Sequence, residues 1–274
     1  MRALVSTNAL QPSSTRRLRF VPNVAQFQGV ASIAIAIALW ELLARIVINN
    51  PLFLPSIGEI TARAMQLWST GELQLNIWIS FLEFLGGFGL SAVVGVGGGI
   101  LLAASKTARG FFDPWVSMLY ATPILALGPL FILWLGIGVA SKIAVIFLAA
   151  VFPILINTQT GLATTDRNLI DVARSLGGSP GQIYAKVRIP SALPFIIAGL
   201  RLGVARALVG VVVAEMFGAR AGLGFMILTS AQTFDTAAVF GGVFILAAAG
   251  AGSVWGLKLL ERRLAPWRNS EDDN

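Results

Sequence analysis

Apolar and polar residues follow one another along this chain in long blocks, without the short periods of a soluble amphipathic helix or strand. Stretches 84–105, 114–141, 143–165 and 236–257 contain no charged side chain, and each reaches the ~20 residues that a helix needs to cross bilayer hydrocarbon. Stretch 27–48 is also apolar apart from Glu41 and Arg45, and 193–217 is interrupted only by Arg201, Arg206 and Glu215. Such windows are too long for barrel strands, and backbone groups in hydrocarbon must be satisfied within their own segment. The pattern predicts an all-α integral membrane protein with about six transmembrane helices. The first spans 27–48, and a core over 77–262 holds spans near 77–105, 114–137, 143–163, 193–217 and 237–259. A polar tail (1–26), a loop (49–76) broken by Pro51, Pro55, Gly58 and Gly71 with a short helix near 59–68, and a second tail (263–274) complete the organisation.

Composition excludes the soluble alternative. Of 274 residues, 56% are apolar and 12% charged, about half the charge of an ordinary soluble domain, and the mean hydropathy is +0.79. The chain has no Cys and no His, which removes disulfides, Cys/His metal centres, Cys or Ser/His nucleophilic sites and histidine proton relays. The net charge of +7 does not point to nucleic acid, because the basic residues sit in short segments between the spans. Most fall on one side: Arg2, Arg16, Arg17, Arg19, Lys106, Arg109, Arg167, Arg174, Lys186, Arg188, Lys258, Arg262, Arg263 and Arg268, against Arg45, Arg63, Lys142 and Arg220 on the other. The positive-inside rule then predicts both termini in the cytoplasm. The small residues of 27–48 lie inside its apolar run and not after it, so it reads as a retained helix and not a cleaved signal.

Segment 164–192 is far longer than a hairpin between two spans requires. Leu169, Val172 and Leu176 are three and four apart, one face of a short helix, and Gly177 with Gly178 supplies a left-handed stop. Ser179 followed by Pro180 restarts a helix, with a hydroxyl cap and proline in the first turn. Ile183 and Val187 form a second stripe, and Pro190 is expected to end that helix. The prediction is an amphipathic elbow flanked by Arg174, Lys186 and Arg188.

Asp171-Val172-Ala173, three residues, Gly177, nine residues, then Val187-Arg188-Ile189-Pro190 resembles the EAA loop of permease subunits of ATP-binding-cassette (ABC) importers, whose pattern is E-A-A, three, G, nine, I-x-L-P. Every spacing fits. Asp171 stands for the glutamate, and Val172, Val187 and Ile189 are apolar exchanges. Phe53-Leu54-Pro55-Ser56, Pro129-Leu130 with Leu133-Trp134-Leu135-Gly136-Ile137-Gly138, Phe152-Pro153-Ile154 with Asn157-Thr158, Ala214-Glu215-Met216 and Gly222-Leu223-Gly224-Phe225 resemble the nitrate, sulfonate and taurine branch of that family. The resemblance implies a type I importer transmembrane fold in a bacterial inner membrane. Two ATP-binding subunits would dock on its cytoplasmic side, an external solute-binding protein outside, and a second permease copy, as a homodimer, beside it within the lipid. It implies that Asp171, Val172, Ala173, Arg174, Ser175, Leu176, Gly177, Ile183, Val187, Ile189 and Pro190 couple the path to the ATPase. The cargo it implies is a sulfonate, taurine or nitrate, with pyrimidine precursors and aromatic or heterocyclic acids as alternatives.

The chain itself offers no phosphate loop. The nearest approach, from Gly99 to Lys106-Thr107, lacks a glycine before the lysine and lies in a predicted span, so ATP and Mg belong to a separate ATPase. No cofactor, metal site or catalytic residue is expected in this chain, and it is not read as an enzyme. Glu41 and Arg45 are four apart and can pair; Arg201 is near enough to the inner surface to snorkel. Arg206 lies about 12 residues past Pro194, roughly 18 Å at helical rise, and some 180° around the helix from Glu215. It is expected to face the path and attract an anion; Glu215 is placed at the outer gate, and Pro123 and Pro129 are placed on the path as bends. Gly95/Gly99, Gly199/Gly203 and Gly252/Gly256 predict close helix contacts. A secondary carrier would more typically carry mid-membrane acids for ion coupling, and a membrane enzyme would need clustered catalytic groups. Neither explains the elbow.

Overall fold

The computed structural model describes residues 24–265. The tail arginines of 1–23, and Arg268 with the acidic end of 266–274, lie outside the described residues. Among those described, all regular structure is helical: α1 (Val24–Leu42, extended by a π-turn over Leu43–Ile48), α2 (Ile57–Ser69), α3 (Glu72–Ala104), α4 (Lys106–Ala121), α5 (Gly128–Leu135), α6 (Val139–Ala163), α7 (Arg167–Ser175), α8 (Pro180–Ile183), α9 (Ile189–Gly218), α10 (Leu223–Gln232) and α11 (Thr236–Leu264). Five of the described helical runs are long and apolar enough to cross a bilayer, and the bent pair α4/α5 brings the number to six when counted as one broken span.

The core is a three-helix sandwich, with α6 held between α3 and α9. The buried positions of α3 are Leu73, Asn76, Ser80, Glu83, Gly87, Ser91, Gly95, Gly99 and Leu102, a stripe at spacings of three and four made mainly of small and polar residues. In a bilayer the apolar residues have no reason to turn inward, so close backbone approach takes over as the packing principle. Ile154 of α6 is fully buried because glycines press on it from both sides. A Cβ on Gly95 would come 2.9 Å from its side chain, and one on Gly203 would come 2.7 Å from it. The first two predicted glycine pairs therefore work within one chain, whereas Gly252 and Gly256 face open space.

Helix α1 stands against the core only at one end, where the Trp40 indole donates to Pro55 O at 3.0 Å and packs edge-on to Phe240. Glu41 pairs with Arg45 at 2.5 Å and accepts Ile57 N–H at 3.0 Å. The short helix expected near 59–68 is α2, started by a capping box between Ser56 and Glu59.

One expectation is sharpened and one needs correction. The span expected near 114–137 is not one rod: α4 begins at Lys106, and the chain turns by 79° between Ala121 and Ile124. Pro123 there has φ −73° and ψ 72°, and Ile124 N donates to Thr122 O at 2.8 Å; this inverse γ-turn breaks the helix, since proline cannot donate. Conversely, Pro190 does not end a helix. It sits in the first turn of α9, immediately after a π-turn over Tyr184–Arg188, and the helical run from Pro180 to Gly218 is continuous. The widened turn accommodates a residue that has no N–H to give to the preceding turn.

Candidate functional site

The sequence singles out an elbow and a path, and the structure resolves these into three places. At the elbow, Asp166 caps α7 by accepting Asn168 N–H at 2.9 Å. The helix ends in a full Schellman motif: Gly178 N donates to Ala173 O at 3.0 Å and Gly177 N to Arg174 O at 2.9 Å, with Gly177 at φ +78°. Both glycines are needed, the first for its left-handed backbone and the second because a Cβ would lie 2.8 Å from Ala173 O. Ser179 and Gln182 then form a capping box that restarts the chain as α8. Tyr184 Oη donates to Ile100 O at 2.8 Å, mooring the elbow to α3.

Ile170 and Ile183 turn inward and are buried, while Leu169, Val172 and Leu176 are 51%, 59% and 83% exposed. The outward stripe sits among Asp171, Arg174 and Ser175, also exposed; Arg174 pairs with Asp171 at 3.3 Å. Ala173, Val187, Ile189 and Pro190 are half-buried at the root of the elbow. The elbow is thus a locally ordered projection whose apolar ridge is left largely exposed by the described residues.

The second place is a cavity of about 180 Å³ at the α4/α5 break. Tyr120, Thr122 and Pro123 line one side, Ala149 and Phe152 of α6 another, and Arg206 of α9 reaches into it. The structure thereby brings Arg206 and Pro123 together. Pro129 instead opens α5 from its first turn, where a missing N–H costs nothing, and does not line the cavity.

Glu215 stands apart too, in the third place, a sealed polar network at the end of the bundle opposite the elbow. It is fully buried, accepting from Ser80 Oγ and from Gly224 N, each at 2.5 Å. Ser80 Oγ in turn accepts Leu223 N at 2.8 Å, and Asn76 Oδ1 accepts Gly222 N at 2.7 Å. One turn along α3, Glu83 takes Lys142 Nζ at 2.7 Å, with both side chains less than a tenth exposed. Three consecutive amides of the α9–α10 turn are thereby tied to α3 and α9. Gly222 is at φ +127°, and a Cβ there would strike the Glu215 carboxylate. Asn76 and Ser80 escaped the sequence reading, although their spacing with Glu83 in an apolar helix is a signal of one polar face.

Comparison with known proteins points to a family of membrane transport components. The family model described as binding-protein-dependent transport system inner membrane component matches residues 95–266. The putative aliphatic sulfonates transport permease of Bacillus subtilis (strain 168) is 39% identical over 89% of this chain and 88% of its own length. The taurine transport system permease of Escherichia coli (strain K12) is 31% identical over 87% of this chain and 89% of its own, and the formylaminopyrimidine transport permease of Halalkalibacterium halodurans is 33% identical over 85% and 92%. Among solved structures, the methionine ABC transporter MetNI in an inward-facing form aligns with a TM-score of 0.54 over 69% of this chain and 97% of that one, at 20% identity. That likeness shows the fold.

Proposed function

Since this chain belongs to the family of binding-protein-dependent transport system inner membrane components, multi-pass permease subunits of ABC importers, we propose that it carries a small sulfonate-type anion and is driven by a separate ATPase seated on the elbow 171–190. The observation that carries the coupling is the exposed ridge of Leu169, Val172 and Leu176 on a corner already locked by its Schellman motif and capping box. An apolar ridge with a polar rim is the anatomy of a protein interface. A pre-ordered corner loses little entropy on docking. In this reading Asp171, Arg174 and Ser175 form the rim, while Ile183, Val187, Ile189 and Pro190 root the ridge in α9. The elbow then faces the cytoplasm with both termini, ATP and Mg stay with the docked ATPase, and a solute-binding protein delivers cargo at the far end to a homodimer of this chain embedded in lipid.

Cargo is drawn from relatives named for sulfonates and taurine, the former 39% identical. The relative named for formylaminopyrimidine, at 33%, favours a second reading in which the same machine takes a heterocyclic precursor.

A mild-detergent pull-down of the tagged protein from its native membrane, beside Gly177→Asp, tests the coupling. Wild type is expected to retain an ATPase bearing a phosphate loop, and the variant, still inserted, to lose it, because an Asp side chain is strained at φ +78°. If neither brings down an ATPase and the purified protein alone moves solute into liposomes, the reading fails in favour of a secondary carrier.

A further inference from the structure

Among the described residues, several charges in the spanning helices have partners, whereas Arg206, at mid-depth on an exposed face of α9, has none. Glu41 is paired with Arg45, Glu83 with Lys142, Arg201 with Glu261 at 3.3 Å, and Glu215 is held by Ser80 and Gly224. Arg206 makes no ion pair or side-chain hydrogen bond among the described residues. It lies 12 residues before the end of α9 at Gly218, roughly 18 Å along the axis, too deep to reach water by snorkelling past a helix end. A guanidinium placed so must face a water-filled path or a ligand, and it faces the cavity at the α4/α5 break. Tyr120 shares that wall, and its hydroxyl is likewise without a partner among the described residues. Apart from Thr122, whose hydroxyl donates to Met118 O, the rest of the lining, Leu148 and Phe152 among it, is apolar.

We infer that Arg206 and Tyr120 form an anion-recognition site midway along the path, taking the oxyanion head of the cargo while Leu148 and Phe152 receive a short apolar tail. This rests on the importer reading above and assigns that importer a selectivity filter within the membrane subunit. The chemistry is specific. Arg presents a planar fork of N–H donors that matches a sulfonate or carboxylate edge, and the phenol adds one donor. The cavity of about 180 Å³ is smaller than the roughly 300–1,000 Å³ of drug-sized sites, which suits a solute of few heavy atoms. The proline break contributes to the cavity directly, since Thr122 and Pro123 form part of its wall.

The test uses the whole importer, reconstituted in liposomes with its ATPase and binding protein, and reads ethanesulfonate uptake together with ATP hydrolysis. Arg206→Ala is expected to lower uptake about tenfold or more while binding-protein-stimulated hydrolysis stays at the wild-type level, so that the solute moved per ATP falls. Arg206→Lys keeps a point charge and is expected to recover part of that ratio. Tyr120→Phe, which removes only the hydroxyl, is expected to cost a few-fold. A merely structural arginine would lower uptake and hydrolysis together, and that result overturns the inference, as does uptake per ATP unchanged in all three variants. If the wild-type importer hydrolyses ATP but moves no ethanesulfonate, the sulfonate reading has failed and the filter with it.

Discussion

The elbow and the polar network at the opposite end of the bundle invert the usual rules of exposure in opposite senses. At the elbow, Leu169, Val172 and Leu176 stand in the open on a polar surface; at the far end, Glu83, Lys142 and Glu215 are buried. The elbow is rigid mainly through bonds between near neighbours in the chain, with one distant mooring from Tyr184 to Ile100, and leaves its apolar ridge unspent. The network is rigid through distant bonds and satisfies nearly every donor it encloses. An apolar side chain held out by a preformed scaffold marks a surface made for another protein. A charge enclosed with its partners marks a joint within the molecule. The distinction assigns Glu215 to architecture and the ridge to assembly, though both are unusual by the same measure of exposure.

The comparison breaks most visibly at Glu83. Glu83→Ala strands the Lys142 ammonium and is expected to cost about 3–5 kcal/mol, whereas Glu83→Leu with Lys142→Met should return most of it; tryptophan-fluorescence melting in detergent reads both. A single variant melting like wild type would show that the pair is no joint. Gly222→Ala is expected to cost less, about 1–3 kcal/mol, because it combines a strained φ with a collision against the Glu215 carboxylate. The same melts check it, and a larger loss than at Glu83 would shift the weight of the joint to the turn. At the elbow, Leu176→Glu should leave stability within about 0.5 kcal/mol while abolishing ATPase co-purification. A clear drop in melting temperature would mean that Leu176 packs within its own chain, and the contrast between the two regions would collapse.

What the sequence made legible follows the range of the interactions. The spans were readable because a stretch without charges is a property of neighbours in the chain, and the Gly177 stop and Ser179 restart were readable because caps act within four residues. The Glu41–Arg45 pair, at i and i+4, was equally local. Lys142 to Glu83 crosses 59 residues and Ser80 to Glu215 crosses 135, so no window could bring them together. Pro123 was expected as a bend and is one, whereas Pro190 was expected to end a helix and does not. Pro123 and Pro190 carry the same missing N–H, and what the chain does about it depends on the turn beside them: an inverse γ-turn at one, a widened π-turn at the other. Arg206 was legible as deep and Pro123 as a bend, but that the two share one cavity is a long-range fact that no window of the sequence holds.

The helix that runs unbroken from Pro180 to Gly218 has a mechanical consequence. Its 39 residues make a shaft of roughly 58 Å, and Gly199 and Gly203 clamp it against Ile154 of α6 a little past its midpoint. Gly210 lies against Ile146 of the same helix, so the shaft is seated on α6 along most of its length, and a load taken at the elbow is expected to move α6 and α9 together as one lever that ends at the Glu215 joint.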